Sequence, residues 1–145
     1  EDFDLTGNQF LVSENGLVMD KDKTKVITYA SGYKVDGTNY QTSIRVPETV
    51  KTIGVSALSY APYLTEIILP SGLTRIEDQA FESTGNLKEL VIPMSVQFVG
   101  YRAFNGWKIG SRLTFECSAT YAAMHFDPEY LNGVSSKTTV VTYNG

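Results

Sequence analysis

A 23-residue period constrains this chain more than any other feature. Ile44, Ile67 and Leu90 are spaced by that step, as are Val46, Leu69 and Ile92, and Pro47, Pro70 and Pro93. Leu113 and Phe115 carry the first two columns one step further. Behind each proline the phase continues. Val50, Leu73 and Val96 match, then Ile53, Ile76 and Val99, then Ala57, Ala80 and Ala103, followed by Leu58, Phe81 and Phe104. A fixed period of this size marks a repeat architecture, and it has to be settled before any local reading. The first piece of each unit alternates apolar and polar residues, which predicts a half-buried strand. Proline ends it, because proline has no N–H to give to a ladder. The second piece spaces its apolar residues by three and four, which predicts a tight helical or 3-10 turn.

One unit cannot fold alone. Its few apolar side chains contribute roughly 1.5–3 kcal/mol each when fully buried. Ordering its backbone costs about 1–2 kcal/mol for every residue. Stacked units cover one another and share a continuous core. The expectation is an α/β, strand-rich solenoid with a short parallel sheet on one side and loops with short helical or 3-10 turns on the other.

The order L-x-x-I-x-I-P-x-x-V-x-x-I-x-x-x-A-F resembles the BspA-like, or Treponema-type, leucine-rich repeat. It is carried by Leu64 to Phe81, by Leu87 to Phe104, and by Ile44 to Leu58 with Leu replacing Phe. More familiar leucine-rich repeats place Asn or Cys after the strand. Gly72 and Ser95 stand there in this chain, so an Asn ladder is not expected. The resemblance implies a bacterial surface or secreted protein, extracellular in location, with some relatives associated with adhesion to host proteins or to other cells.

Along the chain, residues 1–42 read as an N-terminal β-meander cap, 43–116 as the repeats and 117–145 as a C-terminal cap of one domain (1–145). Gln9–Ser13 is extended, and Asn15-Gly16 is a strong hairpin signal because both residues tolerate positive φ. Leu17–Met19 and Lys25–Tyr29 complete a hairpin-based cap over the first coil. Asp20-x-Asp22-x-Thr24 has a faint likeness to a calcium loop. Lys25 and Ser31 occupy the positions where glycine and glutamate would be needed, so a solvated turn is expected. Beyond the repeats, Ser118 is an N-cap candidate for a helix to Phe126. Asp127-Pro128 and Asn132-Gly133 suggest a further short turn, and Thr138–Tyr143 reads as a strand. The chain starts at Glu1 with neither Met nor a signal segment, which reads as a processed or excerpted chain.

Composition and motifs argue against several functions. The formal net charge of −4 lacks the basic face that nucleic acid needs. No apolar run approaches the length of a membrane span. His125 has no second histidine at zinc-site spacing, and no metal or cofactor is expected. Cys117 stands alone, which excludes an intramolecular disulfide and points to a buried, inert thiol rather than a nucleophile paired with His125. Phosphate-loop, dinucleotide and serine-hydrolase motifs are absent. Glu66 and Glu89 would be in-register neighbours about 4.8 Å apart at the backbone. An open sheet face offers no apolar pocket to raise either pKa, so they do not read as catalytic carboxylates. A noncatalytic chain is expected.

The outward side of the sheet is the candidate site. With Ile67 and Leu69 inward, one outward column is Ser43, Glu66, Glu89 and Arg112, and the next is Arg45, Ile68, Val91 and Thr114. Arg112 is placed to pair with Glu89, and Arg45 to reach Glu66. Ile68 and Val91 then form an exposed apolar strip flanked by charge. Solenoids bind macromolecules on such regular surfaces, and a flat face without a pocket suits a protein partner better than a small molecule. Trp107 falls where Ala61 and Thr84 stood in the earlier units. It either widens the last coil beneath the C-terminal cap or joins Tyr101 in an aromatic patch. The leading expectation is a protein-binding module. The alternatives are a spacer or accessory domain of a longer surface protein, and a glycan-binding module stacking sugars on Trp107, Tyr101 or Tyr60.

Overall fold

The computed structural model describes residues 4–126, 133–134 and 139–145. The expected turn at Asp127-Pro128 and the residue Asn132 lie outside the described residues.

Four coils stack with the expected phase. Their first strands are β4 (Ser43–Arg45), β6 (Glu66–Ile68), β8 (Glu89–Ile92) and β10 (Ser111–Phe115). The register of β4 on β6 pairs Ser43 with Glu66 and Ile44 with Ile67. That of β8 on β10 pairs Glu89 with Arg112 and Leu90 with Leu113. Both ladders are parallel, and each pairing steps by the sequence period.

The second piece of each unit departs from the expectation. It is not helical: it opens with a two-residue strand, namely β5 (Thr52–Ile53), β7 (Arg75–Ile76) or β9 (Phe98–Val99). These pair in parallel and place Ile53, Ile76 and Val99 inward. A run of turns follows. Spacings of three and four arise there because the chain corners repeatedly, and not because it winds into a helix. Two positions in each turn run take left-handed φ. Ser56, Gln79 and Arg102 occupy the first, and Tyr60, Ser83 and Gly106 the second. The turns then present N–H groups to the next coil: Ser56 N–H donates to the Asp78 carbonyl (3.0 Å), and Gln79 N–H to that of Tyr101 (2.9 Å).

The N-terminal meander forms as expected. β1 (Leu11–Glu14) and β2 (Leu17–Asp20) join through Asn15 and Gly16, both at positive φ, and β3 (Lys25–Tyr29) returns antiparallel to β2. β3 lies parallel to β5, so the meander continues the second sheet in the order β1-β2-β3-β5-β7-β9. Leu17, Met19, Val26 and Tyr29 enter the same core as the coils. Asp20 binds its own turn. Its carboxylate accepts the Thr24 and Lys25 N–H groups and the Thr24 hydroxyl, which leaves a closed turn and not an open cation cage.

After the coils, α1 (Ala119–His125) starts at Ser118, whose hydroxyl accepts the Tyr121 N–H at 3.1 Å. β11 (Thr139–Tyr143) then adds to β10 in parallel, pairing Ser111 with Thr139 and Phe115 with Tyr143. The core runs unbroken from Leu17 to Phe126. Phe81, Phe104 and Phe115 are the largest of its fully enclosed side chains.

Candidate functional site

The face carrying β4, β6, β8, β10 and β11 is not one continuous sheet. β4-β6 forms one ladder and β8-β10-β11 another, and among the described residues no ladder pair joins β6 to β8. A groove of about 480 Å³ opens along this split. Thr65 to Leu69 and Ser71 form one wall, and Lys88, Glu89, Val91, Pro93 and Glu116 the other. The expected flat face therefore has a groove at its centre.

The column of outward side chains supplies a physical reason. Its junctions set Ser43 against Glu66 and Glu89 against Arg112. Only the middle junction would set two carboxylates, Glu66 and Glu89, directly opposite each other, an arrangement that destabilises a strand pair. Each is instead held outward. The Ser43 hydroxyl donates to Glu66 Oε2 at 2.6 Å, and the Thr114 hydroxyl to Glu89 Oε1 at 3.2 Å. No ladder pair sets the two glutamates in register among the described residues.

Other members of the predicted face need correction. Arg45 and Arg112 are exposed, but neither makes an ion pair with Glu66 or Glu89 among the described residues. Thr114 is only 4% exposed. β11 lies over it, and its hydroxyl is 2.7 Å from that of Thr142. Thr114 therefore positions Glu89 rather than meeting a partner. Ile68 is half-buried and Val91 is 40% exposed, so the apolar strip is present.

The aromatic patch of Tyr101 and Trp107 does not form. Trp107 is 5% exposed and packs edge-on against Phe104 at 5.6 Å. Its indole N–H donates to the Phe81 carbonyl at 2.9 Å, 26 positions back. Thr84, one repeat earlier, makes the equivalent tie to the Leu58 carbonyl at 3.0 Å, also 26 back. Trp107 thus repeats, with a larger side chain, the tie that Thr84 makes to the preceding coil. Tyr101 stays 55% exposed, with the Arg102 guanidinium 5.7 Å from its ring. Tyr60 is also exposed.

Sequence reasoning missed a pair of exposed aromatics. Tyr40 and Tyr63 stack with ring centroids 3.7 Å apart, and Lys34 lies 5.0 Å above Tyr40. The Tyr40 phenol beside it raises the pKa of Tyr63. They too are one period apart in sequence, a signal that was available in the repeat phase. Cys117 is buried in the core, and loss of solvent pushes its thiol pKa up. His125 lies on the exposed end of α1 against Tyr121, at 4.2 Å between rings. Among the described residues no group of three or more acidic, histidine or cysteine side chains could hold a metal ion, and no helix is long and apolar enough to cross a membrane.

A family model described as a BspA type leucine rich repeat region matches residues 24–122 in six copies. The chain belongs to the BspA-type leucine-rich repeat family. The six copies extend the family's pattern into the meander and α1, beyond the four coils that the face strands define. A leucine-rich repeat protein from Eubacterium ventriosum superposes with a TM-score of 0.65 at 29% identity, covering 77% of this chain and 28% of its own. The pneumococcal vaccine antigen PcpA superposes with a TM-score of 0.58 at 23% identity, covering 95% of this chain and 35% of its own, a likeness of fold. The BspA-type chain thus spans about a third or less of these longer proteins. No curated protein matches it.

Proposed function

We propose that this BspA-type chain is a noncatalytic module that binds a protein partner through its β4-to-β10 face, displayed on a bacterial surface or secreted, with adhesion to a host protein as its role. The observation that carries the reading is the strip of Ile68 and Val91 along the groove, set between Glu66, Glu89, Arg45 and Arg112. Apolar side chains are left in water here on a regular, rigidly backed surface, and polar groups surround them. That arrangement suits a macromolecular interface of apolar centre and polar rim. Family membership supports it, because leucine-rich repeats commonly serve protein interaction.

The test is a binding screen of the purified chain against extracellular matrix proteins and a glycan array, with an Ile68→Thr/Val91→Thr variant alongside. Loss of a protein ligand in the variant, with folding unchanged by circular dichroism, supports the reading. A protein ligand retained at full affinity refutes it. The spacer reading draws on one specific observation, the small share of the longer relatives that this chain spans, and it predicts no ligand at all. The glycan reading loses Trp107 to the core and keeps only the exposed tyrosines.

A further inference from the structure

The split between β6 and β8 is bounded and reproducible in its causes. Ahead of it, the Asn86 side-chain amide donates to the Pro62 carbonyl. Beyond it, the Ser95 hydroxyl reaches the carbonyls of Ser71 (2.7 Å) and Leu73 (2.6 Å). Behind it, β5, β7 and β9 remain laddered. The second and third coils are therefore tied at both ends of the face and along the back, and part only in the window between.

Backbone groups face into that window. Glu66 N–H donates to the Thr42 carbonyl and Val46 N–H to that of Ile68, so Glu66 and Ile68 turn their backbone toward β4. Arg112 N–H donates to the Lys88 carbonyl and Glu116 N–H to that of Ile92, so Lys88 and Ile92 turn theirs toward β10. Alternation along each strand then directs the N–H and C=O groups of Ile67 and Leu69, and of Glu89 and Val91, at each other across the split. Ile68, Val91 and Pro93 supply apolar contact. Glu66, Glu89 and Glu116 outnumber Lys88 on the walls, so the window is anionic.

We propose that the window between β6 and β8 is a docking slot for an extended segment of a protein partner, whose lysine or arginine enters between Glu66 and Glu89 while its apolar neighbours lie on Ile68 and Val91. The proposal rests on the reading of this face as a protein-binding surface and names the chemistry of the partner. A cation between the glutamates neutralises the juxtaposition that holds the strands apart. β6 and β8 remain neighbours, so the segment lies along the outer face of the groove and contacts both walls rather than entering between the strands.

The test uses the intact chain and four synthetic peptides of alternating Thr and Val, identical except for Lys, Arg, Gln or Glu at the centre. Binding is followed by amide chemical shifts. The Lys and Arg peptides should bind at least about ten-fold more tightly than the Glu peptide, with shifts centred on 67–69 and 89–91. Glu66→Gln/Glu89→Gln removes both charges at equal side-chain length, and should abolish that preference. Equal binding of the Lys and Glu peptides, shifts mapping elsewhere, or no binding of any peptide would overturn the slot. A protein ligand that depends on Ile68 and Val91 but not on Glu66 and Glu89 overturns the slot while leaving the protein-binding face intact. A ligand that depends on neither pair refutes the face itself.

Discussion

Phe81→Ala tests the continuity of the core most directly. Phe81 is fully buried in the second coil, 6.0 Å from Phe104, which in turn packs against Trp107. An aromatic side chain buries roughly 150–250 Å². At about 25 cal/mol per Å² that amounts to about 4–6 kcal/mol, of which alanine retains a part. The stack with Phe104 adds about 0.5–1.5 kcal/mol. Measured truncations of this kind cost about 3–5 kcal/mol, and that is the expected loss here. With a urea slope of about 2 kcal/mol per M, the midpoint should fall by about 1.5–2.5 M. The chain has a single tryptophan, in the third coil, so fluorescence reports that coil while circular dichroism reports all of them. Both transitions should move together. A shift in the circular dichroism transition with an unmoved tryptophan transition would refute the single core, because the coils would then be unfolding separately.

Three further outcomes are expected. Gly100→Ala should lower stability by about 1–3 kcal/mol, because the added carbon would lie 2.5 Å from the Asp78 backbone nitrogen and 2.6 Å from the Glu77 carbonyl carbon; an unchanged thermal midpoint would contradict that close approach. The hydrogen bond from Lys25 to Glu77, at 2.8 Å, holds the Glu77 carboxyl below its ordinary 4.5. A depressed folded pKa gives stability that is present above the unfolded value and lost as pH falls through the folded one. Glu77→Gln should therefore flatten the acid limb of a stability profile taken from about pH 6 to about pH 3, and a profile parallel to that of the parent chain would count against the pairing. Cys117 should react with a thiol reagent at least about ten-fold more slowly in the folded chain than in urea, and similar rates would show that the thiol is not sheltered.

Much of the fold could be read from residue phase. Ile44, Ile67, Leu90 and Leu113 had to share one environment, and they do, because every coil rests on its neighbour in the same way. β5, β7 and β9 were not legible as strands. Two residues with one inward side chain carry no alternation, and the backbone of the adjacent coil completes the pairing. The break between β6 and β8 was implied by Glu66 and Glu89 but hidden by the assumption of even spacing. Trp107 announced itself by breaking its column, yet its fate depended on the Phe81 carbonyl, an acceptor that side-chain patterns cannot reveal. Thr114 left the exposed face because β11 paired beside it, and a strand beyond the repeat phase gave no register in advance.

The split also has a mechanical consequence. Hydrogen bonds between coils run along the axis of a solenoid, so a pull along that axis loads the junctions in series, and each junction carries the whole force. The first and second coils, and the third and fourth, share a ladder at the face. The second and third hold through the back sheet, the turns and the side-chain ties alone. Under tension the junction at Glu66 and Glu89 is the first of the three coil-to-coil junctions to yield. A segment bridging β6 and β8 would reinforce that weakest junction, so a bound partner would raise the force the module withstands.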